Sequence, residues 1–326
     1  RFNDTYGLNV GGTLLADGTA DQPIRMVANG TNGWRSIRFE DTSVDAQADA
    51  EGHHLSGNLL RHVEIKGSTF GINVLSATPY LAHLDLDATT VVSQSISGSL
   101  GATPLWLMDS VISGGETAVV LTGAVNAHRN VIAGVGLVVI TGPVTIGSNT
   151  FSGGGIAVGY GGSGTISNNV IAGGGIYIDG VSSIQQNIVQ GGSIDAPNTT
   201  TVLSNTVRGG GIVVGESSEV RGNDVSGASE WGIKGGFGGT ILLPDGATNI
   251  HAIDNRIVGN QNGIAVASGL VQGNLIANNV EVGLALGEAT VISNTFTGNR
   301  GSALKISWEQ PLMLAGNNLE GNLGQY

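Results

Sequence analysis

The 326-residue chain contains no cysteine. Neither a disulfide framework nor a thiolate metal site can therefore be built from it. Charge is sparse as well: charged residues make up 12% of the sequence, and the only lysines are Lys66, Lys234 and Lys305. With a formal net charge of −12 and no basic stripe to neutralise phosphates, nucleic acid is not expected as a partner. Aromatic residues account for only 5%. No apolar run is long enough to cross a bilayer as a helix, so no transmembrane segment is expected. Familiar catalytic signatures are missing too. There is no Gly-x-x-x-x-Gly-Lys-Ser/Thr phosphate loop, no His-Glu-x-x-His pair and no Gly-x-Ser-x-Gly elbow.

What the chain has instead is glycine, 55 residues of it, and repetition. A motif of asparagine, spacer, apolar residue, spacer and glycine begins at Asn130, Asn149, Asn169, Asn187, Asn205, Asn223, Asn255, Asn294 and Asn317. A variant at Asn274 ends in Asn278 instead of glycine. Most successive copies lie 18 to 20 residues apart, and an insertion of about a dozen residues separates Asn223 from Asn255. Each motif is followed by a glycine-rich turn and a short alternating segment, such as Gly173-Gly-Gly-Ile-Tyr-Ile178. A third β-branched segment, such as Thr165-Ile-Ser-Asn168, precedes the next asparagine. No repeat carries helical spacing over ten or more residues.

These features predict an all-β chain: a right-handed parallel β-helix, or β-solenoid, with three short strands per coil of about 18–21 residues. Each strand pairs in parallel with its counterpart one repeat on. Ile132, Ile171, Val189, Val207, Val225 and Ile257 are expected to stack as inward aliphatic files. The asparagines, Asn274 included, are expected to stack as a structural hydrogen-bonded ladder.

The pattern resembles the right-handed parallel β-helix superfamily, which includes pectate-lyase-like enzymes, epimerases, phage tailspikes and bacterial surface proteins. The resemblance spans nearly the whole chain and implies the fold, while the scaffold hosts several unrelated chemistries. The opening segment Arg1–Ile24 looks like the early coils of the secreted surface-protein branch. An extracellular or cell-surface location is the corresponding expectation. Residues 1–326 are expected to form a single solenoid domain with insertion loops near 40–56 and 229–248. Neither end shows a polar cap, so the chain is expected to be a segment of a longer one. Open solenoid ends also predict self-association by end-to-end stacking of coils.

Because a solenoid core is packed, chemistry is expected on outward side chains or insertions. Aligning Leu60–Lys66 with Leu81–Asp87 sends His62, Glu64 and Lys66 to one face and His83, Asp85 and Asp87 to the matching face one coil later. Such a patch could hold a cation or abstract a proton. The same alignment puts Trp106 beside Asp85 as a sugar platform. Asp41, Asp45, Asp49 and Glu51 form an acidic excursion that could collect calcium, though without the Asp-x-Asp-x-Asp-Gly spacing. In the later insertion, Trp231 and Phe237 could stack on carbohydrate. No other cofactor is implied. The leading expectation is an extracellular structural rod, assembling end to end and mediating adhesion. The alternative is a polysaccharide lyase, epimerase or carbohydrate-binding β-helix acting on surface glycans.

Overall fold

The computed structural model describes residues 1–2, 6–30, 33–88, 94–114, 117–134, 136–236, 247–306 and 312–324. Among them there are strands, turns and bends but no helix, and nearly all strand pairing is parallel. Two compact units, Arg1–Ser163 and Gly164–Tyr326, each form a β-solenoid with three sheets.

In the first unit, one sheet stacks Leu8–Val10, Ile37–Phe39, Ile72–Leu75, Gln94–Ser99, Thr117–Thr122, Gly136–Val139 and Gly155–Val158. A second runs from Leu15–Asp17 through the starts of Leu59–Ser68 and Tyr80–Ala88 to Leu105–Met108, Val125–His128 and Pro143–Gly147. The third takes Ile24–Val27, the later halves of those two long strands, Val111–Gly114, Val131–Ala133 and Thr150–Ser152. The second unit repeats the plan. Its first sheet includes Ile176–Ile178, Ile194–Ala196, Ile212–Val214 and Trp231–Gly235, and its third runs from Val170–Ala172 to Thr295–Thr297.

The coil length of 18–21 residues holds for most of the motif-bearing part, the coils from Asn223 to Asn255 and from Asn294 to Asn317 being longer, and fails near the start. There Leu8 pairs with Ile37, and Ile37 with Ile72, so each turn carries a long excursion. One excursion is a hairpin in which Gln47–Ala48 pairs antiparallel with His54–Ser56.

Every element of the motif has a distinct task. The apolar position points inward: Ile132, Ile171, Val189, Val207, Val225 and Ile257 are all fully buried. The asparagine is buried at the bend between the second and third sheets. Asn205 Oδ1 accepts from the backbone N–H and the Nδ2 of Asn187, at 2.9 and 3.0 Å. Asn205 Nδ2 in turn donates to Asn223 Oδ1 at 3.0 Å and to the Ile184 carbonyl at 3.0 Å. The same links join Asn130 to Asn149, Asn169 to Asn187, Asn223 to Asn255, Asn255 to Asn274, and Asn274 through Asn294 to Asn317. The buried amides are thereby satisfied, which a bend this tight requires. The motif glycine takes positive φ, +83° at Gly191 and +84° at Gly209, a region closed to most side chains. Asn278 stands in for it at φ 53°, consistent with the tolerance of asparagine for the left-handed region.

Two further regularities lie beyond the motif. The residue just before the ladder position is left-handed in coil after coil, as at His62, His83, Asp109, Arg129, Gln186 and Ser204, with φ between 50° and 57°. In the second unit a second buried ladder joins Asn260, Asn279, Asn299 and Asn322, each immediately after the last residue of the motif.

Candidate functional site

The 21-residue offset gives the pairing found: Leu60 with Leu81, Glu64 with Asp85 and Lys66 with Asp87. Strict alternation, however, stops at the histidines. His62 and His83 sit at the left-handed bend between the second and third sheets, and their rings lie face to face at 4.4 Å and 5°. Glu64, Lys66 and Asp85 belong to the third sheet beyond it. Lys66 Nζ lies 3.1 Å from Glu64 Oε1 and 2.9 Å from Asp85 Oδ2, and Arg25 also pairs with Glu64. The hydrogen bond from Arg25, reinforced by Lys66, holds the Glu64 carboxyl below its usual range. Asp85 and Glu64 push the Lys66 ammonium up. A lysine serving as a proton acceptor needs the opposite shift. Asp87, in register with Lys66 and Ser113, is not the nearest partner of that lysine.

Trp106 is not beside Asp85, whose neighbour in the next coil is Val111. It pairs with Tyr80 and Asn126 on the second sheet. There it packs, partly buried, against the cluster of Ala46, Leu59, Tyr80, Ala82 and Met108. The alignment misplaced it because the coil from Tyr80 to Trp106 is longer than 21 residues. The hairpin lies over this ring: a Cβ on Gly52 would sit 2.6 Å from Trp106 Cζ3. Tyr80 donates its hydroxyl to the Gly52 carbonyl at 2.7 Å.

The acidic excursion does not gather its carboxylates. Asp45 accepts from the Thr78 N–H at 2.7 Å and the Ala102 N–H at 3.2 Å, anchoring the excursion to the coils. Asp49 accepts from the His53 N–H at 2.7 Å, and its other oxygen lies 2.9 Å from His53 Nδ1. Asp41 and Glu51 are exposed. Among the described residues no group of three or more His, Cys, Asp or Glu is arranged to hold a metal, which leaves the calcium expectation without a ligand set there.

The second unit contains a groove of which sequence reasoning singled out only the Trp231 side. It has a volume of about 350 Å³ and is lined by Ser193, Asp195, Glu230, Trp231 and Lys234 over a glycine floor. The floor is glycine by necessity, since a Cβ on Gly210 would lie 2.2 Å from the Gly192 carbonyl oxygen. Asp195 projects outward between the buried Ile194 and Ala196. In register it is followed by Val213 and then Lys234. Ser193 Oγ donates to Asp195 Oδ2 at 2.5 Å. Burial pushes the Asp195 carboxyl up, against the Ser193 hydrogen bond. A faint sequence signal existed: Asp195 is the only charged residue between Asp179 and Arg208. Trp231 falls in this groove, while Phe237 lies outside the described residues.

No family model matches the chain, and no curated protein matches it. Among solved structures, the periplasmic alginate epimerase AlgG is similar over 97% of this chain and 84% of its own, at 10% identity and a TM-score of 0.30. Tailspike protein 3 of bacteriophage CBA120 is similar over 99% of this chain and 57% of its own, at 11% identity and a TM-score of 0.39. The A-module of the Azotobacter vinelandii mannuronan C-5 epimerase AlgE6 is similar over 97% and 90%, at 13% identity and a TM-score of 0.33. Likenesses this distant carry no argument about activity.

Proposed function

We propose that this chain is a structural β-solenoid of a secreted or surface-exposed protein, serving as a stiff spacer. The observation that supports the reading is the direction in which its polar side chains point, toward each other from coil to coil. The buried asparagines hydrogen-bond along each unit. The outward charges are paired in the same way, as in Arg61–Asp17, Arg129–Asp109 and the Arg208–Asp224–Arg256 trio. Glu64 and Asp85, two of the residues that could abstract a proton, are joined to Lys66 in one such network. End-to-end association of copies is a natural extension of this role, and electron microscopy showing only isolated particles would remove that part of it.

A second reading is favoured by the groove at Asp195. Burial disfavours the ionised form of the Asp195 carboxyl, Trp231 offers an aromatic face, and Lys234 and Glu230 border the same space. That combination suits a saccharide. One panel separates the readings: the protein is incubated with calcium and uronate polymers, and with neutral oligosaccharides, while turnover and binding are followed. A spacer gives neither. Unsaturated products would sink it in favour of a lyase. Binding without turnover that is lost in Trp231→Ala and Asp195→Asn would establish the groove as a carbohydrate site.

A further inference from the structure

Five of the six histidines, His53, His54, His62, His83 and His128, lie in the first unit. His62 and His83 occupy the same left-handed position in consecutive coils, which is why their rings meet face to face. The strands that carry them, Leu59–Ser68 and Tyr80–Ala88, begin with Leu59 and Tyr80, the residues on which the Gln47–Ser56 hairpin rests. His54 meets Tyr80 edge to face at 5.4 Å.

We propose that the stacked imidazoles of His62 and His83 make this bend acid-sensitive, so that protonation pushes the two coils apart and loosens the hairpin docked on them. Neutral rings at this spacing attract by stacking, whereas two imidazolium ions at 4.4 Å repel by an amount worth about a factor of five even when well solvated. The surrounding charges do not cancel this. Asp17 is within electrostatic reach of His62 but is tied to Arg61, and Asp109 is within reach of His83 but is tied to Arg129. His54 adds a third imidazole from the hairpin side, within electrostatic reach of Asp17, and His128 lies near Asp109.

Burial, then the neighbouring His83, keeps His62 protonation below the ordinary 6.5. The unfolded chain therefore takes up protons first. The stability of the bend is complete above that value and is lost as pH falls from it through the lowered one.

The test is amide hydrogen exchange, corrected for intrinsic rates, between about pH 7.5 and about pH 5.5, a window in which imidazole titrates. Protection at Val63–Ile65, Leu84–Leu86 and the hairpin is expected to fall by about fivefold in the native chain. In the double variant His62→Asn, His83→Asn, whose asparagines tolerate the left-handed backbone, it is expected to change little. His251→Asn in the second unit should leave the native response intact. An equal fall in the double variant, or none in the native chain, overturns the proposal. If the double variant does not fold, NMR titration of the native imidazoles decides: His62 protonating at the ordinary value overturns it, and protonation well below supports it.

Discussion

A single ladder asparagine holds together three coils, and its removal is felt in all of them. Asn205→Ala would take the acceptor from two Asn187 donors and leave the Ile184 carbonyl without its side-chain partner, all in a buried site. Each unsatisfied buried group costs about 1–3 kcal/mol, so a loss of about 3 kcal/mol or more is expected in chemical denaturation. Asn317 makes the same bond to Asn294 in a partly exposed position, where water replaces the lost partner. Asn317→Ala should therefore cost less than half as much. The motif asparagines could be read from sequence because one residue type repeats. Earlier in the chain the ladder position passes to Ser110, whose N–H donates to Asn130 Oδ1 at 2.9 Å, and then to Leu84 and Val63. With the marker gone, the long early coils lose their visible period. The second ladder had a marker, the asparagine immediately after each late motif, but it was hidden by the stronger one beside it.

At the scale of elements, the hairpin shows how an excursion earns a fixed place on a solenoid. The hairpin Gln47–Ser56 falls in the excursion whose Asp41, Asp45, Asp49 and Glu51 suggested calcium from the sequence. Its position instead follows from Asp45 accepting backbone N–H groups, from the Tyr80 hydroxyl and from the absence of a side chain at Gly52. Gly52→Ala would place a Cβ against the Trp106 ring at a φ of +87°. Strain and clash together should destabilise the hairpin by about 1–3 kcal/mol. Limited proteolysis should then cut residues 47–56 faster while the coils below stay protected. Unchanged cleavage would mean that the contact with Trp106 does not hold the hairpin. The groove at Asp195 belongs to the same scale. Its residues come from three successive coils, within 192–195, 209–213 and 228–234, so no local window of sequence contains it.

For the whole molecule, the charge pattern sets how stability depends on pH. Hydrogen bonds from Arg61 and Arg129 hold the Asp17 and Asp109 carboxyls below the ordinary 3.8. Burial pushes Asp224 up, but Arg208 and Arg256 outweigh it and leave it lowered. These carboxylates stabilise the fold above the ordinary value, and the contribution disappears as pH falls through their lowered values. Asp195 has the opposite sign: its contribution is present in acid and is lost as pH rises above 3.8 toward its raised value. Asp195→Asn, keeping a partner for Ser193, is therefore expected to raise the melting temperature at neutral pH and to leave it nearly unchanged in strong acid. A lower melting temperature at pH 7 would show that the carboxylate is needed for packing.

The coil itself was legible in the chain because its code is local and repeated: an amide for the bend, an apolar residue for the interior and a glycine or asparagine for positive φ. A few residues suffice to specify each turn, and stacking copies them. Which outward side chains meet was decided only by tertiary structure, because neighbours in a solenoid are one coil apart and the coils differ in length. A change of a few residues moves Trp106 from Asp85 to Tyr80, and a left-handed bend turns two histidines out of an alternating strand and onto each other.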